Sequence, residues 1–292
     1  MLPEAINREI TTWLKENAEE NCNIINVIPL SGGSINQSYR IRTACRDFFL
    51  KYNYTNLYPG MFHVEMKGLE LLASTKSVSV PKVCLSTETN GYSILLLEYL
   101  EQTKARKNFW EILAKQLAQL HSVKEEKYGL DYDNYIGSIK QTNTPTKNYF
   151  DFITNERFVP LIQRANQAGY FTITDMSHFE RLLKNLPDLI PIESPSLIHG
   201  DLWSGNVISD NEGNPYVIDP AVYYGNRESD IAMTKLFGGF PQIFYESYNY
   251  YHPLMSSWQK RVDFYQLYPL LVHVLLFGES YAFQVRNIIR NY

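Results

Sequence analysis

The sequence predicts a mixed α+β fold in two parts, a small antiparallel-sheet unit over residues 1–98 and a mostly helical unit over residues 99–292. Three observations carry this expectation. Short β-branched or alternating runs crowd the first hundred residues, a Ser31-Gly32-Gly33-Ser34 turn separates the first two, and apolar residues recur at helical spacing through most of the remaining chain.

Taken in order, residues 3–17 predict a helix, because Ile6, Ile10 and Trp13 with Leu14 share one face behind an early proline. Strands are expected at 24–30, 37–42 and 47–52. A helix at 63–74 then gathers Met66, Leu69 and Leu72 on one face, and strands at 82–86 and 92–98 complete the unit. Beyond residue 102 strand signals thin out. Trp110, Leu113, Leu117 and Leu120 line one helix, and others are expected over 150–167, 176–186, 230–237, 242–251 and 258–277. Inside this half, the β-like runs 206–208 and 215–218 flank a turn-rich stretch and predict a hairpin.

Composition narrows the function. With 45% apolar and 20% charged residues in 292, the chain is globular, neither disordered nor collagenous nor a coiled coil. The 27 Lys and Arg against 31 Asp and Glu leave a net charge of −4, so nucleic acid and membrane are not expected partners. Cys22, Cys45 and Cys84 form neither a disulfide framework nor a zinc pattern. The first twenty residues lack the regions of a signal peptide, and the apolar stretch 267–277 is about half the ~20 residues of a membrane span. A cytoplasmic monomer is expected.

The chemistry concentrates in residues 197–219. Asp201 and Asn206, in His199-Gly200-Asp201-Leu202-Trp203-Ser204-Gly205-Asn206, follow an apolar run and precede the hairpin, which is the spacing of a kinase catalytic loop. Phosphoryl transfer needs a base beside the acceptor hydroxyl and hard oxygen ligands for a metal beside the phosphates. The hairpin brings Asp219 back toward Asn206 as the second ligand. Lys51 at the end of the third strand and Glu65 on the following helix supply the phosphate-gripping lysine and its partner. Gly33 and Ser34 lie where backbone N–H groups approach phosphates, and the Glu98 carbonyl with the Leu100 amide lies where an adenine edge binds. His121 and His199 are expected to be structural, His199 as a brace for the loop.

The segments 199–207 (HGDLWSGNV), 218–240, 48–53, 61–72 and 133–137 resemble the fructosamine kinase (ketosamine-3-kinase) family, related to aminoglycoside phosphotransferases and choline kinases. The resemblance implies a two-lobed protein-kinase-like fold and ATP- and Mg²⁺-dependent phosphorylation of the 3-hydroxyl of a ketosamine, a reaction that reverses glycation. It implies Asp201 as base, Asn206 and Asp219 as metal ligands, Lys51 and Glu65 at the phosphates, and Trp203, Tyr223, Tyr224 and Glu228 near the acceptor. Ser34 stands where some members carry a redox-linked cysteine, and Tyr149 where relatives tend to have tryptophan. Two other readings stay open: a kinase for another cationic hydroxyl compound, of aminoglycoside or choline type, and a non-catalytic ATP-binding regulator.

Overall fold

The computed structural model describes residues 2–17, 22–30 and 35–292. Gly33 and Ser34 lie outside the described residues. Two compact units emerge, Met1–Lys107 with Ile208–Ile218, and Asn108–Val207 with Asp219–Tyr292.

The first unit holds helix α1 (Glu4–Asn17) and strands β1 (Ile24–Pro29), β2 (Gln37–Thr43) and β3 (Asp47–Tyr54). Helix α2 (Met61–Ser74) follows, then β4 (Val83–Thr89) and β5 (Tyr92–Glu98). The strands form an antiparallel sheet in the order β1-β2-β3-β5-β4, so β3 and β5 are central. Alternation along β3 decides what each face does. Phe48 and Leu50 point into a core with Ile41, Ile94 and Leu96, closed by Ile6, Ile10 and Leu14 of α1. Lys51, one residue out of phase, falls on the opposite face.

The sequence places the division at residue 98, whereas the chain stays with the first unit through Lys107. The reason is a set of hydrogen bonds along this segment. Tyr99 N donates to Asp47 O at 3.3 Å, Thr103 Oγ1 to Asp210 O at 3.0 Å, and Arg106 N to Gly213 O at 3.2 Å.

The second unit is mostly helical. It begins with α3 (Phe109–Leu120), a small hairpin of β6 (Asn134–Ile136) and β7 (Ile139–Gln141), and α4 (Tyr149–Phe152). A π-helical turn at Ile153–Phe158 leads into α5 (Val159–Gln167), α6 (Ile173–Lys184) and α7 (Leu186–Leu189). Strand β8 (Ser196–Ile198) runs into the Asp201 loop; the expected hairpin of β9 (Val207–Ser209) and β10 (Pro215–Val217) follows, but from Ile208 to Ile218 it belongs to the first unit and not to the helical one. Then come β11 (Tyr223–Gly225), α8 (Glu228–Met233), α9 (Gln242–Tyr251), α10 (Val262–Phe277) and α11 (Glu279–Ile289). Helix α10 is the spine of this unit, with Phe264, Leu267, Leu270, Leu271 and Val274 all buried. Two expected helices differ. The one over 150–167 is interrupted by the π turn, which turns Arg157 fully inward; the one over 230–237 starts earlier and stops at Met233, where the bonds tighten to three-residue turns, Lys235 N donating to Ala232 O at 3.1 Å and Leu236 N to Met233 O at 3.0 Å, before Phe237 takes a left-handed backbone (φ 54°). No helix among the described residues is long and apolar enough to cross a membrane.

Candidate active site

In the first unit, the out-of-phase Lys51 meets α2. Its Nζ donates to Glu65 Oε1 at 2.8 Å, and the two side chains are 6% and 13% exposed. A buried lysine fixed this way presents one positive charge in one place, as a phosphate grip requires. Glu98 and Leu100, at the end of β5 and just beyond it, are half-buried; the Glu98 carboxylate accepts from Lys82 N at 2.8 Å.

In the second unit, β8 pairs antiparallel with β11, setting Ile198 opposite Tyr223 and Leu197 opposite Tyr224. The chain then turns sharply. Ala221 N donates to His199 O at 2.9 Å, and Gly200 adopts φ 83°. Any larger residue at 200 would put its Cβ 2.1 Å from Ala221 O, so the backbone comes this close only with glycine. Two donors of this turn are held by one carboxylate: His199 N and Gly200 N donate to Asp230 at 2.8 and 2.9 Å. His121 Nε2 donates to the same carboxylate at 3.1 Å, while its Nδ1 accepts from the Tyr248 hydroxyl at 2.7 Å. Burial holds His121 below its ordinary value, so it is neutral at pH 7. Burial opposes the Asp230 anion as well, but the bonds from His121 and Gly200 prevail and hold its carboxyl below the usual value.

Asp201 leaves this braced turn under different conditions. Asn206 Nδ2 donates to its backbone carbonyl at 2.8 Å and its Oδ2 at 2.9 Å, and Asp201 N donates to His199 Nδ1 at 3.3 Å. His199 thus braces the loop as expected. The Asp201 carboxyl is pushed up to about 7, first by burial and then by the neighbouring carboxylates of Asp219 and Asp230, against the Asn206 bond that favours the anion. The structure therefore brings Asp201, Asn206 and Asp219 together.

The same trio can be tested for a divalent cation. The Asn206 amide nitrogen is committed to Asp201, leaving its oxygen as the donor, and Asp219, in a left-handed conformation (φ 55°), supplies a carboxylate close enough to disturb Asp201. No group of three or more His, Cys, Asp or Glu among the described residues could hold a metal. One carboxylate and one amide oxygen fit Mg²⁺, which ordinarily takes most of its shell from water and substrate phosphates.

The expected acceptor residues divide. Trp203 is half-buried, its ring lying over Gly205, where a Cβ would stand 2.3 Å away. Tyr224 is half-buried and tied by its backbone to Gly129 at 2.8 and 2.9 Å. Tyr223 is buried under Arg157, whose guanidinium lies 4.1 Å from its ring centroid. Glu228, expected to meet a protonated amine, is 2% exposed and paired with Arg261 through contacts of 2.7 and 2.5 Å. Sequence reasoning missed Asp230 and Arg261. The one available signal was the acidic pair Glu228 and Asp230 two residues apart at the start of a helix.

These features describe a kinase-type loop, and comparison with known proteins names it. The family model for fructosamine kinase matches residues 6–292. The chain belongs to the fructosamine kinase family. A protein of Enterococcus faecium named as a probable ketoamine kinase is 40% identical over 271 residues, covering 91% of this chain and 95% of the relative. The crystal structure of a protein from Haemophilus somnus 129PT, assigned as a fructosamine-3-kinase, superposes with a TM-score of 0.87 at 31% identity, covering 99% of this chain and 96% of the other. An aminoglycoside phosphotransferase crystallised with AMP-PNP and hygromycin B shares the fold alone, with a TM-score of 0.62 at 14% identity over 97% of this chain and 98% of that one. The fructosamine kinase family assignment makes the protein a phosphotransferase with a kinase-like α+β fold.

Proposed function

We propose that the protein transfers the γ-phosphoryl group of ATP to the 3-hydroxyl of a ketosamine, destabilising the adduct so that the amine is released, and that it does so as a cytoplasmic monomer. The observation that carries this reading is the Asp201 carboxyl. It is held by Asn206 in a loop braced by Asp230, with its pKa pushed up to about 7. A base is most useful when its pKa lies near the working pH.

In this reading Asp201 Oδ accepts the proton of the attacking hydroxyl. Lys51, steadied by Glu65, holds the α- and β-phosphates, with Gly33 and Ser34 beside them and the segment from Glu98 to Leu100 at the adenine. Asn206 and Asp219 would hold Mg²⁺, which when bound neutralises charge on the phosphates. Trp203 offers a flat face to the sugar, with Tyr224 nearby. Tyr223 and Glu228 act from beneath, Tyr223 packed on Arg157 and Glu228 locked to Arg261, and shape the floor of the acceptor side.

The test is ATP consumption by the purified protein with Mg²⁺ and a panel of ribulose- and fructose-derived ketosamines, choline and an aminoglycoside. Turnover of a ketosamine, lost in Asp201→Asn, is expected. Turnover of choline or the aminoglycoside alone would move the acceptor class. A melting temperature raised by Mg·ATP with no transfer to any acceptor would return the regulator reading.

A further inference from the structure

We propose that the buried side chains of Asn134, Gln141 and Asn143, with Arg157 behind them, are positioning residues that hold the backbone of Asp219 where its carboxylate meets a divalent cation. This rests on the assignment of Asp219 as a metal ligand above and adds to it what keeps that ligand in place.

Asn134, Gln141, Asn143 and Arg157 are 4%, 2%, 0% and 0% exposed, in an interior where an unmatched polar group is costly. Asn134 on β6 lies directly across from Gln141 on β7. Their hydrogen bonds leave this hairpin. Asn134 Nδ2 donates to Val222 O at 2.8 Å, and Gln141 Nε2 to Ala221 O at 3.2 Å, 88 and 80 residues further along the chain. These are the carbonyls three and two residues beyond Asp219.

The direction of every bond in the cluster is set from one end, because a guanidinium can only donate. Arg157 Nη2 donates to Asn143 Oδ1 at 2.7 Å, which leaves the Asn143 amide nitrogen to donate to Asn134 Oδ1 at 3.0 Å. Gln141 Nε2 donates to the same oxygen at 2.7 Å, and Gln141 Oε1 accepts from the Tyr268 hydroxyl at 2.7 Å. With its oxygen taken twice, Asn134 turns its N–H groups to Val222. Reversing any one of the three amides would set donor against donor or acceptor against acceptor.

The segment that receives these bonds has little freedom of its own. Asp219 keeps a left-handed backbone (φ 55°), which a residue other than glycine holds only where its surroundings fix it. Pro220 follows, its φ locked by the ring. Ala221 is then gripped on both sides, its N–H donating to His199 O at 2.9 Å and its carbonyl accepting from Gln141. The amide cluster therefore anchors the stretch that carries Asp219 and ties it to the turn that leads into Asp201.

The experiment reads cation binding without any acceptor. The melting temperature of the protein with ADP is followed as Mg²⁺ is titrated, which gives the Mg²⁺ concentration at half of the full shift. Asn134→Ala should raise that midpoint about tenfold, as expected when a buried carbonyl loses its donor. Tyr268→Phe, which loosens the Gln141 amide and leaves Asn134 in place, should raise it about threefold, and it carries the test if Asn134→Ala does not fold. Tyr245→Phe removes a buried hydroxyl that meets Thr234 Oγ1 at 3.1 Å, away from the cluster, and should lower the melting temperature without moving the midpoint. A wild-type midpoint in the folded cluster variants, or an equal rise in Tyr245→Phe, would overturn the inference. No Mg²⁺-dependent shift in the wild type, or an unchanged midpoint in Asp219→Asn, would instead sink the metal-ligand assignment, and the inference with it.

Discussion

Two carboxylates of the helical unit sit at opposite ends of one turn and have been given opposite characters. Asp230, at the start of α8, is surrounded by donors from His199 N, Gly200 N and His121, and stays ionised. Asp201, in the loop those bonds hold, has its side chain served by Asn206, with Asp219 and Asp230 as neighbours, and its carboxyl rises to about 7. What differs is the count of donors and of like charges around each group. One carboxylate is a permanent anion that fixes backbone, and the other can exchange a proton near neutral pH.

The comparison breaks most visibly if the two residues respond alike to removal of charge. Asp201→Asn should lower kcat by about 10²–10⁴ with Mg·ATP binding retained, measured by steady-state rates and by nucleotide-induced melting shifts. The same variant should melt higher at pH 8, by about 5 °C, in the absence of nucleotide and divalent cation. The sign comes from linkage. The folded pKa of about 7 lies above the ~3.9 of an unfolded Asp, so the folded chain binds the proton more tightly and this group costs stability as pH rises from about 4 to 7. At pH 4 the gain should vanish.

Asp230→Asn should do the reverse. Its folded pKa lies below the unfolded value, so its contribution is present above about pH 4 and lost as pH falls through the folded value. Leaving backbone donors and His121 facing an amide costs about 3 kcal/mol, a fall of roughly 6–12 °C in Tm near neutral pH, with kcat lower by about 10–10² because the loop is less well placed. Differential scanning fluorimetry of both variants across pH 4–8 reads the two signs side by side.

A smaller effect sharpens the role of the loop's backbone. Gly200→Ala places a Cβ against Ala221 O at 2.1 Å, so the turn must open. Both kcat and Tm should fall, the latter by several degrees, about 2 kcal/mol. The smallest effect on catalysis is expected at Glu228. Because its carboxylate serves Arg261, Glu228→Gln should leave KM within about threefold while lowering Tm by a few degrees, as expected when one partner of a buried pair loses charge. A KM raised a hundredfold in a stable variant would restore Glu228 to the acceptor.

How much of this was legible depends on how far apart the cooperating residues stand in the chain. Lys51 could be singled out from its place in the third strand just ahead of the helix that carries Glu65, and Asp201 with Asn206 from a five-residue spacing, because each signal is local. Asp230 acts on His199 from 31 residues away, and Arg261 acts on Glu228 from 33, with no intervening pattern to link them. Strands β8 and β11 are three residues each, too short for alternation to register, although they aim the catalytic loop. In the π turn the buried apolar residues Ile153 and Phe158 stand five apart, a single skip that a reading of helical periodicity over the whole stretch passes over, together with the displacement that buries Arg157. The helical unit thus hid its bracing where the sheet unit displayed its core.

The most direct measurement is the product itself. Wild-type and Asp201→Asn protein would be incubated with ATP, Mg²⁺ and a ketosamine, the rate followed and the phosphorylated carbon located by NMR. A 3-phosphate formed by the wild type, with the variant slower by about 10²–10⁴, is the predicted result. An undiminished rate in the variant, or phosphate on a different hydroxyl, would contradict it.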